Sequence, residues 1–303
     1  MTTVVSGVEL AAPAKINLYL QVTGRRPDGY HYLATLMQKI ALYDRVILRR
    51  VPAGIELHCP GSGLPEDEDN LVYRAARLFF QATAAHLDGS KGVEITLLKS
   101  IPVAAGLGGG SSDAAAVLRG LDRLYRTDCR TADLMELGVQ LGADVPLFIV
   151  DWPAAWATGI GERLRPAAPL TGCLIVLVNP GFPVPTAWVY KNFALTAEGK
   201  NFNLTNLHTD TAGQQGVPAF TRRAIRPDEM RNDLEMVTIS RYRELDGIKK
   251  KLLKGGAVAA LMSGSGPSIF GLFPENEAEK AAVCCRELQR EYQSTFLVNP
   301  LAA

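Results

Sequence analysis

The sequence lacks the patterns that mark several common classes of protein. Its five cysteines form no CxxC pair, and no histidine stands near them at metal-ligand spacing. These absences exclude a zinc ribbon and predict that the thiols are reduced. No apolar run approaches 18 residues, and the first ten residues do not resemble a signal peptide, so we expect a soluble cytoplasmic chain. The net charge of +1, without a long basic tract, argues against nucleic acid as a partner.

The composition is typical of a globular protein with a substantial core. Of the 303 residues, 47% are hydrophobic and 21% charged, enough for two ordinary domains or one large one. Strands are predicted over 9–22, 37–51, 54–59, 92–103, 145–150, 173–180, both arms of 257–273, and 294–298. Helices are predicted from Asn70, with Asp69 or Asn70 as the cap, from Ser111, and over 131–141, 233–254 and 276–292.

The order of these elements predicts the fold class and a domain boundary. Strands and helices are mixed without regular βαβ alternation, which favours an α+β fold with an antiparallel N-terminal sheet over a doubly wound sheet. Residues 152–172 mix Trp, Pro, Gly and Ala before a new apolar strand begins. We therefore expect two domains, over residues 1–165 and 166–303.

One loop has an unusual composition. The segment PVAAGLGGGSS, residues 102–112, places four glycines in the five positions 106–110 and leads directly into a helix. Fixing four glycines instead of four alanines costs about 2–4 kcal/mol. Amides at a helix N-terminus carry partial positive charge, and glycines let a phosphate reach them without meeting a Cβ. A bare strand-to-helix connection would need one glycine, so the segment favours a phosphate site in which Ser111 or Ser112 caps the helix or faces the phosphate.

Several familiar motifs are excluded. No lysine follows Gly110, so the loop is not a Walker A motif, and Ser111 occupies the third glycine position of the dinucleotide pattern. The small-residue turn SGSGPSIF, residues 263–270, does not match the GxSxG nucleophile elbow. Four histidines in no local motif give a serine hydrolase no support.

Two charged residues stay ambiguous on the sequence alone. Asp144 precedes the apolar run VPLFIV, where an unpaired carboxylate is costly, but a turn or capping aspartate fits equally well. Lys15 lies within a predicted strand and shares a face with Asn17 about 7 Å away, as an outward-facing lysine also would.

Taken together, the motifs resemble a known family. PVAAGLGGGSSDAA resembles the phosphate motif of the GHMP kinases. APAKINLYLQVTGRRPDGYHYLATLMQKI, GADVPLFI, ATGIGERL and MSGSGPSIF are similar, in the same order, to the 4-diphosphocytidyl-2-C-methyl-D-erythritol kinases of that superfamily. The resemblance implies a two-domain GHMP kinase fold, with an N-terminal ribosomal-S5-domain-2-like domain and a C-terminal ferredoxin-like α/β-sandwich domain. It also implies ATP-dependent phosphorylation of the 2-hydroxyl of 4-diphosphocytidyl-2-C-methyl-D-erythritol in the non-mevalonate (MEP) isoprenoid precursor pathway.

The resemblance further implies residue roles. Asp144 matches the base that deprotonates the acceptor hydroxyl. Lys15 matches a lysine beside it, which keeps the carboxylate ionised and offers positive charge to the transferring group. The implied ATP-binding residues are Pro102, Val103, Ala104, Ala105, Gly106, Leu107, Gly108, Gly109, Gly110, Ser111 and Ser112. The implied substrate-binding residues are Asn17, Tyr30, His31, Tyr32, Asp144, Thr186 and Tyr190, with Tyr190 stacking on the base and the SGSGPSIF turn close to the glycine-rich loop.

Alternatives and partners complete the expectations. Another GHMP kinase acting on mevalonate, homoserine or a sugar would not explain the cytidine-matching GYH stretch. An inactive nucleotide sensor would be expected to have lost Lys15, Asp144 or the glycines. The sequence contains no cluster of carboxylates that would form a dedicated metal site, so Mg²⁺ is expected to be bound mostly by the ATP oxygens. We expect the chain to be a monomer or a homodimer. Arg231 stands at a position where many members of the family carry histidine, and the sequence gives no physical reason for that change.

Overall fold

The computed structural model describes residues 7–84, 91–197 and 223–302. Within these ranges the strands are β1 Gly7–Arg25, β2 His31–Val51, β3 Ala53–His58, β4 Lys91–Leu98, β5 Ala154–Thr158, β6 Arg163–Pro166, β7 Cys173–Asn179, β8 Arg231–Asn232, β9 Ala259–Met262, β10 Ile269–Pro274 and β11 Ser294–Val298. The α-helices are α1 Leu71–Ala82, α2 Gly109–Tyr125, α3 Thr131–Leu141, α4 Val145–Ile149, α5 Thr186–Ala197, α6 Glu235–Arg241, α7 Glu244–Lys254 and α8 Ala278–Gln289. No helix in the part of the chain so described is long and apolar enough to cross a bilayer.

The chain forms two compact units, and the long strands β1 and β2 each contribute residues to both. The first unit comprises Met1–Ala14, Leu42–Ile101 and Gly108–Asp151. The second comprises Lys15–Ala41, Pro102–Leu107 and Trp152–Ala303.

In the first unit a mixed sheet is covered by helices. The second half of β2 pairs antiparallel with β4, from Arg45 opposite Leu98 to Val51 opposite Gly92. Strand β3 pairs with β4 in parallel, so the expectation of an antiparallel N-terminal sheet is wrong at this edge. The reason is the connection, because the chain passes through α1 between the two strands and a crossover of this kind returns the next strand in the same direction.

Helices α1 and α2 pack against each other in this unit. The predicted start of α1 is confirmed, since the side chain of Asn70 accepts the Val72 N–H at 3.0 Å. The buried face of α2 is rich in alanine, including Ala114, Ala115 and Ala116. Such short side chains let two helix backbones approach closely.

The segment predicted as a buried strand after Asp144 is instead the short helix α4. Pro146 lies in its first turn, where a missing N–H leaves no intrahelical hydrogen bond unmade. All five residues of α4 are buried. A continuous apolar run has no polar period, so the sequence pattern could not separate a buried strand from a buried helix.

The second unit contains a four-stranded antiparallel sheet in the order β11–β7–β10–β9. Helices α7 and α8 pack on it, and residues such as Val176, Leu252, Phe273 and Leu288 form its core. The same unit includes the second half of β1 and the first half of β2, where β5 pairs with β2, β6 with β5, and β8 with β1. Helix α5 lies in the loop-rich stretch expected over 181–230, of which residues 198–222 lie outside the described part.

Candidate active site

The first turn of α2 is the centre of the glycine-rich segment. Gly108 is the N-cap residue, with a φ of +69° that favours glycine, and the helix begins at Gly109. The expectation that Ser111 or Ser112 caps this helix is therefore wrong, because both lie inside the first turn. Without a capping side chain, the first amides of α2 are left for another acceptor.

The surroundings of this turn fit an anionic group. The Ser112 hydroxyl is buried and has no hydrogen-bond partner among the described residues, a situation that costs about 1–3 kcal/mol unless a ligand or water completes it. Outside the helix's own backbone, a Cβ at Gly110 would meet no atom of residues 7–84, 91–197 and 223–302 within 4 Å, so space is open beside the helix there. A Cβ at Gly142, two residues before Asp144, would lie 4.0 Å from the Ser111 Oγ.

Asp144 occupies the N-cap position of α4 and is half-buried. Its side chain makes no capping hydrogen bond to the helix. The interpretation of Asp144 as a capping aspartate is therefore wrong, but Asp144 does lie in a turn, which the Val145 N–H closes by donating to the Gly142 carbonyl at 3.2 Å. The fold brings it into the same unit as Ser111 and Ser112.

Lys15 is anchored inside the second unit. It is 4% exposed, and its Nζ donates to Asn17 Oδ1 at 2.7 Å and to the Gly106 carbonyl at 3.2 Å. The predicted shared face of Lys15 and Asn17 is confirmed. The outward-facing interpretation is wrong, because β1 is buried on both faces over residues 14–20.

Asn17 is held in turn by Thr35, which the sequence analysis did not identify. The Asn17 Nδ2 donates to Thr35 Oγ1 at 2.8 Å, and Thr35 Oγ1 donates to the Tyr19 carbonyl at 2.7 Å. This chain fixes the amide so that its oxygen faces the Lys15 ammonium. A threonine in an alternating strand carries no sequence signal for such a role.

The loop 102–107 is fastened to its own unit by backbone and side-chain contacts. The Lys15 N–H donates to the Leu107 carbonyl at 2.9 Å, and the Ser263 hydroxyl donates to the Gly106 carbonyl at 2.9 Å. A Cβ at Gly106 would lie 2.2 Å from the Ser263 carbonyl oxygen. The SGSGPSIF turn is thus in contact with the glycine-rich loop, as expected.

Asn232 braces that turn from strand β8. Its Nδ2 donates to the Met262 carbonyl at 2.8 Å and to the Gly264 carbonyl at 2.7 Å. The neighbouring Arg231 donates through Nε to Asp233 at 3.0 Å, and its guanidinium lies 5.8 Å from the centre of the Tyr19 ring. Arg231, which replaces the histidine of many family members, is thus an ion-paired residue of strand β8.

His31 and Tyr190 meet in the second unit as a stacked pair, with ring centres 5.3 Å apart and planes inclined by 24°. Burial, followed by the charge of Arg25, lowers the pKa of His31, which favours a neutral imidazole with one donor and one acceptor nitrogen. Tyr30 and Tyr32, in contrast, are 62% and 44% exposed. The Thr186 hydroxyl lies 2.9 Å from that of Ser265.

Comparison with known proteins identifies the family. Residues 70–151 match the GHMP kinases N terminal domain, and residues 222–290 match the GHMP kinases C terminal model. A 4-diphosphocytidyl-2-C-methyl-D-erythritol kinase from Syntrophus aciditrophicus is 43% identical over 277 residues, covering 91% of this chain and 93% of the relative. One from Geobacter sulfurreducens is 44% identical over 282 residues, covering 93% and 94%.

Solved structures agree with these relatives. A crystal structure of 4-(cytidine 5'-diphospho)-2C-methyl-D-erythritol kinase matches with a TM-score of 0.75 and 35% identity, covering 98% of this chain and all of that one. A mevalonate kinase structure matches with a TM-score of 0.68 at 13% identity, covering 98% and 100%, and shows the shared fold alone. The predicted α+β GHMP kinase fold is confirmed. The chain belongs to the GHMP kinases and, within them, to the family of 4-diphosphocytidyl-2-C-methyl-D-erythritol kinases, ATP-dependent small-molecule kinases of the non-mevalonate (MEP) isoprenoid pathway.

Proposed function

We propose that this chain transfers the γ-phosphate of ATP to the 2-hydroxyl of 4-diphosphocytidyl-2-C-methyl-D-erythritol. The observation that carries the proposal is the first turn of α2. Its uncapped amides, the Ser112 hydroxyl, which has no partner in the described ranges, and the open space at Gly110 suit a phosphate. Phosphoryl transfer requires mainly positioning and charge stabilisation from a protein. Residues 102–112 provide the positioning of the triphosphate.

Lys15 and Asp144 are assigned the chemical roles. Asp144 accepts the proton of the attacking hydroxyl, and the Lys15 ammonium stabilises negative charge as the phosphoryl group moves. Support for Lys15 comes from its fixed orientation, since Asn17 and the Gly106 carbonyl hold the ammonium beside the ATP loop. Support for Asp144 comes from its position at the N-cap of α4, in the same unit as Ser111 and Ser112.

Magnesium accompanies the nucleotide in this proposal. When bound, the ion shields the triphosphate oxygens and neutralises developing charge. Among the described residues, the single group of three potential ligands that lie close together is Glu56, His58 and Glu94, on β3 and β4. Arg49 forms an ion pair with Glu94 at 3.3 Å, so the Glu94 carboxylate already has a cationic partner. Mg²⁺ is therefore assigned to the ATP oxygens, as its reluctance to dehydrate allows.

The stacked pair of His31 and Tyr190 is assigned to the cytidine end of the substrate. A neutral imidazole offers the donor and the acceptor that the edge of a cytosine requires, and the tyrosine ring offers a face for stacking. Asn17, Tyr30, Tyr32 and Thr186 are assigned to the remaining substrate contacts. The proposal also includes a cytoplasmic location, a boundary between the two domains at residue 165, and a chain that is a monomer or a homodimer.

An ADP-release assay with four acceptors tests the function. Diphosphocytidyl-methylerythritol, mevalonate, homoserine and galactose are compared at equal concentration with ATP and Mg²⁺, and the product is identified by mass. We expect turnover with the first acceptor alone. Turnover with mevalonate and none with the cytidine compound would move the chain to another branch of the superfamily, and ATP binding without turnover of any acceptor would indicate a sensor.

A further inference from the structure

A buried ion cluster lies beneath the first turn of α2. The Lys99 Nζ donates to Asp113 Oδ2 at 2.7 Å and also contacts Asp44 Oδ2. The three side chains are 9%, 2% and 0% exposed, respectively. With both carboxylates ionised, the cluster has one negative charge in excess, in a place where water cannot screen it.

The two carboxylates differ in their second oxygen. The Oδ1 of Asp44 accepts the N–H groups of Ser100 at 2.5 Å and Ile101 at 2.9 Å. The Oδ1 of Asp113 is buried and has no hydrogen-bond partner in the ranges that the structure describes. A carboxylate that is satisfied on one side only is the better acceptor for a proton, so Asp113 is the group in this cluster that can become neutral.

The electrostatic surroundings of Asp113 agree with its geometry. Burial, foremost, and the charge of Asp44 raise the pKa of Asp113 to about 7, against the opposing effect of Lys99. Burial and then the charges of Glu66 and Asp113 raise the pKa of the nearby Cys59 thiol, which is therefore neutral. The charged groups that face Asp113 are thus Lys99, which follows β4, and Asp44 on β2.

The cluster is close to the phosphate-binding amides. Asp113 follows directly after the first four residues of α2, and a Cβ at Gly109 would lie 3.3 Å from the Lys99 Nζ. A triphosphate at this turn adds negative charge beside a cluster that already has an excess of it. The interaction is removed if the excess charge is neutralised by a proton.

We infer that Asp113 is a positioning residue of the phosphate-binding turn, and that it takes up a proton when the triphosphate of ATP binds. This inference rests on the proposed function, because it needs the triphosphate at the first turn of α2. Binding and protonation favour each other equally, as linkage requires. ATP affinity is therefore highest below about pH 7, where Asp113 is already neutral. It falls as the pH rises, because each binding event must then draw a proton from solution.

Calorimetry with a non-hydrolysable ATP analogue and Mg²⁺ tests the inference. Titrations in buffers of different ionisation enthalpy count the protons taken up, for wild type, Asp113→Asn and the control Asp122→Asn. Asp122 lies at the other end of α2, and its Oδ1 accepts from Thr127 and Cys129, so asparagine keeps the acceptor. The nucleotide's own titration is common to all three proteins and cancels in the comparison.

At pH 8 we expect wild type and Asp122→Asn to take up more protons than Asp113→Asn. Between pH 7 and pH 8.5 their affinity should fall by up to about tenfold per pH unit relative to Asp113→Asn, the limit for one linked proton. Equal proton uptake and equal pH dependence in all three proteins would overturn the inference and leave the proposed function intact. Absence of nucleotide binding in wild type would instead overturn the proposed function.

A spectroscopic measurement keeps the inference open to refutation if Asp113→Asn fails to fold. Difference infrared spectra of the wild type at pH 8, with and without the nucleotide analogue, report the carbonyl band of a protonated carboxyl group. We expect that band to appear on binding. A spectrum without a new carboxylic-acid band would contradict proton uptake by Asp113.

Discussion

The two glycine-rich segments of this chain have similar compositions but different reasons for their glycines. In the second segment, residues 263–268, the backbone is packed and braced, and Asn232 bonds two of the carbonyls around it. In the first segment, residues 106–110, Gly106 is required by the same packing, since its Cβ would meet the Ser263 carbonyl. Gly110 has no such neighbour. Glycine therefore serves the fold at one end of the first segment and leaves room for a ligand at the other.

The comparison also shows how far composition alone can be interpreted. Counting four glycines suggested one common cause, close approach of a phosphate to all of them. In the structure the glycines have different reasons. Gly106 is in close contact with the protein itself, and Gly108 has a positive φ at the start of the helix. The polar groups make the same distinction, since the buried Ser112 hydroxyl in the first turn of α2 has no hydrogen-bond partner in the part of the chain that the structure describes.

The largest expected effect concerns the chemistry that the first segment is proposed to serve. Asp144→Asn keeps the size of the side chain but removes the base, so we expect kcat to fall by about 10²–10⁴ while the ATP analogue still binds. Lys15→Ala should produce a loss of similar size by removing the cation near the ATP loop. Steady-state kinetics and nucleotide titration measure both effects. A kcat within threefold of wild type in either variant would refute that assignment.

The next effect tests the structural glycine. Gly106→Ala places a Cβ 2.2 Å from the Ser263 carbonyl at a φ of +76°, which alanine adopts with strain. We expect the free energy of unfolding to fall by at least about 2 kcal/mol, with a lower Tm. Thermal and denaturant unfolding measure it. Unchanged stability would show that the two segments are not packed as described.

A smaller loss of stability is expected in the brace of the second segment. Asn232→Ala leaves the Met262 and Gly264 carbonyls without their side-chain donor and should cost about 1–3 kcal/mol. The KM for ATP of the folded enzyme should stay near that of wild type. A variant of normal stability with a raised KM for ATP would reverse the roles that we assign to the two segments.

The smallest expected effect tests the open glycine. Outside its own helix backbone, Gly110→Ala meets no atom of the described residues within 4 Å. It also removes a helical glycine, so the protein should become more stable by about 0.5–1 kcal/mol. The added methyl group intrudes on the proposed phosphate position, and we expect the KM for ATP to rise roughly tenfold, the equivalent of one weakened charged hydrogen bond. The two glycine variants are compared in one unfolding series and one kinetic series. A normal KM for ATP in Gly110→Ala would contradict the proposed position of the phosphate beside Gly110.

Much of the fold could be predicted from the sequence because periodicity and capping are local. The start of the helix after Asn70 and both ends of the helix over 131–141 agree with the structure. The helix α4 was not, because a buried apolar run has no period that separates helix from strand. The parallel pairing of β3 and β4 was missed because strand direction depends on the whole connection between them.

The site was only partly accessible to sequence reasoning, for a different physical reason. Lys15 and Asn17 could be placed together because a strand has a period of two. The contacts of Asn17 with Thr35 and of Lys99 with Asp44 and Asp113 join residues far apart in sequence. No local pattern signals such contacts, and the roles of Lys15 and Asp144 came from the family resemblance rather than from the residues alone.

The most direct test of the account is a crystal structure with Mg²⁺ and a non-hydrolysable ATP analogue. The account predicts β- and γ-phosphate oxygens within hydrogen-bond distance of the backbone amides of residues 109–111, with the Ser112 hydroxyl directed at one of them. A nucleotide bound elsewhere, with the first turn of α2 making no phosphate contact, would contradict the central claim that these bare amides hold the triphosphate.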